Sequence, residues 1–198
     1  MMNMKLVIGL TAPPLAGKET VSNILEELIK NDGHSVSRHR FSDILRETLA
    51  LWDMPVDRDH LQPLAQWMAK FKHGALTHAV KSRLMKNPAD VGILDGIRWF
   101  SDEAMVRELP KEGVKSVIIY ITASADRRYA RALKRQRHGE AGLTRAEFDR
   151  QDNAENETYI PQIGARADLT LVNEYDRIED FHKEIAAMYK KSIRPLLR

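Results

Sequence analysis

The chain has 198 residues, 43% of them hydrophobic and 30% charged, with no cysteine. That length suits one α/β domain whose core needs no covalent staples, and the missing cysteine excludes disulfides and thiolate metal sites. A net charge of +3 and a pI of about 9.1 suit an anionic ligand without indicating nucleic acid, and no apolar run reaches the ~20 residues of a membrane span.

The opening MMNMKLVIGL runs straight into a strand and lacks the layout of a secretory signal, so a cytoplasmic protein is expected. Residues 5–11 (KLVIGLT) read as a fully buried strand. Residues 18–29 carry Val21, Ile24, Leu25 and Leu28 at helical spacing, and Asn31-Asp32-Gly33 ends that helix. Residues 35–41 form a second, polar strand. Residues 57–73 place Arg58, Gln62, Gln66, Lys70 and Lys72 at helical spacing around Leu61, Leu64, Trp67 and Met68. A third strand spans 91–94. A helix over 101–109 starts at a Ser cap and stops before Pro110. The fourth strand spans 117–121 (VIIYI), and a very basic helix follows over 125–137. Residues 144–163 read as one helical stretch opened by a capping box. A last strand at 169–172 precedes a last helix at 178–189. This alternation predicts βαβ units, a five-stranded parallel sheet with helices on both faces. Ligands of such sheets bind beyond the carboxyl ends of the strands, so the loops at 11–20, 41–46, 95–102 and 122–126 should gather at one edge.

Ala12-Pro13-Pro14-Leu15-Ala16-Gly17-Lys18-Glu19-Thr20 follows a buried strand and opens a helix, the context of a phosphate-binding loop. Backbone N–H groups of Leu15, Ala16, Gly17, Lys18, Glu19 and Thr20 can point at a phosphate, with the positive end of the helix behind them. Lys18 would bridge the β- and γ-phosphates. The loop departs from the usual pattern: Ala12 replaces a glycine, Glu19 replaces a Ser or Thr, and Pro13 and Pro14 lack a donor. The plainer alternative is a Pro-Pro turn that binds nothing.

Further along, Ile93-Leu94-Asp95-Gly96-Ile97-Arg98 sets Asp95 at the end of a buried strand, where an acid holds Mg²⁺ directly or through water. Taken alone it is also a common Asp-Gly turn. Ser42, Asp43, Ile44, Leu45 and Arg46 open a helix whose N-terminus, with Ser42, would face an anion, while Arg46 offers a planar fork that suits phosphate. A capped helix with an exposed arginine is the alternative. Arg127, Arg128, Arg131, Lys134, Arg135 and Arg137 form a basic run, which suits a solvated face or a nucleic-acid patch. Arg131 and Arg135, however, are four apart and share one helix face.

Together these segments, over residues 5–189, resemble the P-loop nucleoside monophosphate kinases: adenylate kinase and its relatives. Pro14 and Gly17-Lys18-Glu19-Thr20 are similar to their Gly-Lys-Gly-Thr loop with its upstream proline. Asp43 to Arg46 is similar to Gly-Asp-Met-Leu-Arg, with Ser42 for Gly. Asp95 to Arg98 is similar to Leu-Asp-Gly with a following Arg. Arg131 and Arg135 match an Arg-x-x-x-Arg at the start of the lid, and Arg150-Gln151-Asp152 an Arg-x-Asp in its returning helix. A further arginine that adenylate kinases place beyond it has no match. Gly-Lys-Asp/Glu-Thr with Asp-Gly-Ile-Arg resembles phage deoxynucleoside monophosphate kinases and adenylate-kinase-like ATPases most.

The resemblance implies one P-loop domain over 1–198, with an acceptor-binding insert at about 41–86 and a short helical lid at about 131–152. It implies a phosphotransferase of nucleotide metabolism that moves the γ-phosphoryl group of ATP, with Mg²⁺, onto a nucleoside or deoxynucleoside monophosphate. Lys18, Arg131 and Arg135 would neutralise the transferring group, and Asp95 and Thr20 would hold the metal. Ser42, Asp43, Arg46 and Arg98 would hold the acceptor. Neither a membrane nor nucleic acid is an expected partner. Two rivals stand beside this reading: a dephospho-CoA-kinase-like enzyme, which Ile8-Gly9-Leu10-Thr11 fits but Asp95 to Arg98 fits poorly, and a nucleotide-binding ATPase module without an acceptor.

Overall fold

The first strand sets the architecture. β1 (Leu6–Thr11) is buried along its whole length. Its Leu6, Ile8 and Leu10 face one layer of core and Val7 the other, as the alternation of side chains along a strand requires. The computed structural model describes residues 4–135, 143–154 and 157–198. Among them, β1, β2 (Val36–Arg40), β3 (Val91–Asp95), β4 (Lys115–Thr122) and β5 (Leu169–Val172) make one sheet of order β2-β3-β1-β4-β5. Every pairing is parallel. The expected five-stranded parallel sheet is therefore present. The polar character of β2 follows from its place at the sheet edge.

In chain order the described helices are α1 (Lys18–Asn31), α2 (Phe41–Leu51), α3 (Arg58–Phe71), α4 (Ala75–Lys86), α5 (Phe100–Glu108), α6 (Ala125–Arg135), α7 (Arg145–Asp152), α8 (Ile160–Gly164) and α9 (Ile178–Met188). On one face of the sheet, α1 supplies Val21, Leu25 and Ile29, and α9 supplies Phe181 and Ile185. On the other, α4 supplies Val80 and Leu84, α5 supplies Met105 and Val106, and α8 supplies Ile163. Helices thus cover both faces, as a parallel sheet requires.

Three segments differ from the sequence reading. α5 starts one residue earlier than expected, with Trp99 rather than Ser101 in the capping position. Residues 75–86, for which no element was read, form α4: only Thr77, Val80 and Leu84 of it are buried, and Lys81, Arg83 and Lys86 are among the residues left outside the core. The stretch 144–163 is not one helix. α7 ends at Asp152, and α8 begins anew with Pro161 in its first turn, where a proline's missing N–H belongs.

α2, α3 and α4 lie between β2 and β3 in the chain, and α2 and α3 share a small core of Leu45, Leu49 and Leu64. α6 and α7 meet through Ala132, Leu143 and Phe148, against which Leu15 packs. Gly9 allows the chain after β3 to cross β1, because a Cβ there would fall 2.4 Å from Ile97 Cδ1. That crossing is fixed by Gly96 and Ile97 N–H groups donating to the Leu10 carbonyl at 3.1 and 3.0 Å. It sets Asp95 and Arg98 beside the loop that leaves β1.

Candidate active site

The loop between β1 and α1 is held from behind. Leu15 adopts a left-handed backbone (φ 65°), a conformation that costs a side-chain-bearing residue roughly 1–2 kcal/mol. The Leu15 carbonyl accepts from Arg131 Nη1 at 3.2 Å, and the Ala16 carbonyl accepts from Asn173 Nδ2 at 2.9 Å. Gly17 is left-handed too (φ 107°), and a Cβ there would lie 2.5 Å from Asn173 Nδ2. Arg131 also donates to the Asn173 carbonyl at 2.8 Å and its Oδ1 at 3.0 Å. One donor expected to face a ligand is used internally: the Ala16 N–H donates to the Pro13 carbonyl at 3.3 Å, and Ala16 is fully buried. The N–H groups of Lys18, Glu19 and Thr20 open α1, where helical geometry leaves them without intrahelical acceptors.

Behind the loop stands a dense charge network. Lys18 Nζ contacts Asp95 Oδ1. The other carboxylate oxygen of Asp95 takes Arg38, whose Nε donates at 3.1 Å, and Arg40 Nε lies 3.5 Å from it. Arg38 also donates to Asn23 Oδ1 at 2.8 Å, and it pairs with Glu19 Oε2 at 3.1 Å. Arg40 Nη2 donates to Glu19 Oε1 at 2.6 Å. Burial, then the charges of Arg98 and Arg38, push the Lys18 ammonium below the ordinary lysine range. The contact with Asp95 opposes that push, because a carboxylate favours the charged ammonium. Arg38 and Arg40 were not singled out from the sequence. The signal was present: residues two apart on a strand share a face, and Arg40 is in register with Asp95.

On the other side lie the residues assigned to an acceptor. Ser42 and Arg46 of α2 and Arg98 line a cleft with the loop. Asp43 stands in the first turn of α2 but does not line that cleft. Arg98 contacts Glu157, a buried carboxylate. Asp102 Oδ2 accepts from the N–H groups of Arg98 and Trp99 at 3.2 and 3.1 Å, and its Oδ1 accepts from Thr77 Oγ1 at 2.6 Å. Burial pushes the Asp102 carboxyl up to about 6, against the pull of those hydrogen bonds. Gln62 lines the cleft and Gln66 does not.

The basic run divides by direction. Arg127 turns outward to Asp176 and Glu174. Arg128 is buried and pairs through both terminal nitrogens with Asp152. Arg131 braces the loop, as above, and burial lowers its pKa. Arg135 ends α6, and its side chain, like residues 136–142 within the expected lid, lies outside the described residues. Asn173 had no sequence signal.

The cleft has a volume of about 760 Å³, within the size range of small-molecule sites. Lys18, Thr20, Arg46, Asp95, Arg98 and Arg131 all line it. The Asp95 carboxylate and Thr20 hydroxyl are the hard oxygen donors Mg²⁺ takes. Both line the cleft, and among the described residues no group of three or more His, Asp or Glu side chains could hold a metal.

No protein-family model and no curated protein matches the chain. Solved structures do. The shikimate kinase from Bacteroides thetaiotaomicron aligns with a TM-score of 0.58 at 13% identity, covering 93% of this chain and 97% of that one. The shikimate kinase from Acinetobacter baumannii, in complex with shikimate, gives 0.53 at 15%, covering 94% of each. TT1252 from Thermus thermophilus gives 0.54 at 20%, covering 96% and 98%. The chain has the P-loop kinase fold. Among the described residues no helix is long and apolar enough to cross a membrane.

Proposed function

We propose that the protein is a phosphotransferase that moves the γ-phosphoryl group of ATP onto a small anionic acceptor, a nucleoside or deoxynucleoside monophosphate. The observation that carries this reading is the shared cleft. It joins Lys18 and the N-terminus of α1 to Arg46 and Arg98, so two phosphate-bearing groups can meet there.

Phosphoryl transfer asks for in-line placement and charge neutralisation more than covalent help. Lys18 exchanges Asp95 for the β- and γ-phosphates. Arg131, by fixing the Leu15 carbonyl, keeps the loop's N–H groups aimed at them. Arg46 and Arg98 hold the acceptor's phosphate, which is already ionised and needs no general base. Arg135, on the same helix as Arg131, is assigned to the transferring group. Asp95 and Thr20 would hold magnesium, which supplies charge neutralisation at the phosphate oxygens when bound. Apolar Leu45, Leu61, Ala65 and Leu76 wall the acceptor side and exclude water that would otherwise hydrolyse the triphosphate.

Two of the similar structures are named shikimate kinases, which supports a kinase without choosing the acceptor. It also favours a second reading, a kinase of a small metabolite that is not a nucleotide. The test measures ATP consumption against each common ribo- and deoxynucleoside monophosphate, with shikimate and dephospho-CoA as the other arm. A nucleotide acceptor should accelerate consumption by orders of magnitude. Equal consumption with and without every acceptor would sink the kinase reading and leave an ATPase.

A further inference from the structure

Glu19 stands beside Lys18, where a phosphate loop ordinarily has a hydroxyl, and the transfer chemistry has no use for a carboxylate there. Its position gives it one. Glu19 and Arg40 both line the cleft, and both are substantially exposed, with side chains 61% and 41% accessible. Arg40 Nη2 donates to Glu19 Oε1 at 2.6 Å, and its only other ionic approach among the described residues is to Asp95 at 3.5 Å. Arg38 is different. It is 14% accessible, fixed on Asp95 and Asn23 as well as Glu19, and does not line the cleft. One arginine is built in; the other is held by an exposed ion pair, the weakest kind.

We propose that Arg40 is a phosphate-binding residue of this cleft and that Glu19 is its resting partner, displaced when an anion enters. The inference rests on the reading of the cleft as a phosphoryl-transfer site. A guanidinium–phosphate contact is charge-assisted, and its planar geometry can be bidentate, so it outcompetes an exposed carboxylate. Glu19 meanwhile repels an entering anion until Arg40 bridges the two. Arg38 stays in place and keeps Asp95 and Glu19 neutralised.

The two partners should therefore act with opposite signs. Arg40→Gln removes the phosphate's donor, and Glu19→Gln removes the competitor for it. A pair that merely holds the fold together would show losses on both sides. The measurement titrates inorganic phosphate onto protein saturated with a non-hydrolysable ATP analogue, so that the loop between β1 and α1 is already filled, and follows phosphate affinity by thermal shift and NMR. Arg40→Gln should weaken phosphate binding about tenfold or more, the scale of a lost charge-assisted hydrogen bond. Glu19→Gln should strengthen it about two- to five-fold, the scale of an exposed ion pair. Arg40→Lys, which keeps the charge on a flexible stem, should recover part of the loss and guards against a variant that is simply misfolded. If both Gln variants move phosphate affinity the same way, or neither moves it while the analogue still binds, this inference falls and the functional reading stands. If the wild-type protein binds no analogue, both fall together.

Discussion

Arg131 and Arg46 line the same cleft and hold different things. Arg131 commits its guanidinium to the Leu15 carbonyl and to Asn173, so its removal releases a left-handed turn that the loop needs for aiming its donors. Arg46→Ala should raise the acceptor KM strongly and leave ATP nearly untouched, because a contact equal in ground and transition states contributes uniform binding. Arg131→Ala should instead lower kcat with little change in the acceptor KM. Steady-state kinetics with each substrate varied in turn separates the two, and an Arg46→Ala variant altered only in ATP affinity would reverse the assignment. Lys18→Ala should cut turnover by ~10²-fold or more, the scale of one lost donor to developing charge. Its circular dichroism should stay native, since Asp95 retains Arg38. Individual residues were unevenly legible. Lys18, Asp95, Arg46 and Arg98 announced themselves through local motifs. Arg38 and Arg40 were legible only to a reading that carried the two-residue period of β2 toward Asp95. Asn173 was not legible at all, because the carbonyl it holds lies 157 residues away in the chain.

Elements were read best where burial is extreme. Each strand carries a short apolar or β-branched run, apart from the edge strand β2, and all five emerged within a few residues of their observed limits. α4 did not, because a helix that buries only three side chains leaves a faint stripe. The division of α7 from α8 was written in Pro161 but outweighed by the capping box upstream. One short helix also carries a pH dependence. Asp102 in the first turn of α5 is 1% accessible, and burial raises its carboxyl to about 6. The folded protein therefore binds this proton more tightly than the unfolded chain, whose aspartates titrate near ~3.9. Its contribution to stability is fully present below about pH 4 and is lost as the pH rises through about 6. Asp102→Asn keeps an acceptor for the Arg98 and Trp99 N–H groups and removes the titration. Wild type should lose on the order of 3 kcal/mol relative to this variant between pH 4 and pH 7. Urea unfolding of both proteins at the two pH values measures the difference, and parallel curves would show that folding leaves the Asp102 titration unshifted.

Across the whole molecule, the cleft needs its two sides tied together, and Arg128 does much of that tying. From α6 its Nε donates to the Ala123 carbonyl at the end of β4 at 3.1 Å, and Nη1 reaches the Pro14 carbonyl at 3.5 Å. Nη1 and Nη2 pair with Asp152 at the end of α7, and the guanidinium lies 5.5 Å from the centre of the Phe148 ring. One side chain thus joins the phosphate loop, the sheet and the helices α6 and α7. Its neighbour Arg127 makes ion pairs of similar geometry, but with Asp176 and Glu174 on the open surface. Counting charges in the basic run cannot distinguish these two arginines; their burial can. Removing one partner of a buried pair leaves the other charge uncompensated, at a cost of about 3–5 kcal/mol, and the partial exposure of Asp152 at 20% places Arg128 at the lower end. Arg128→Leu should therefore cost about 3 kcal/mol, a fall in Tm of roughly 6–12 °C for a chain of this size. Arg127→Leu should leave Tm close to that of wild type, as surface changes do. Calorimetric scans of both variants, with and without an ATP analogue, decide the matter. If the basic run were one solvated face, the two would behave alike, and equal Tm values would dissolve the strap; a large fall confined to Arg128→Leu, with a weakened response to the analogue, is what a tie between the loop and α7 requires.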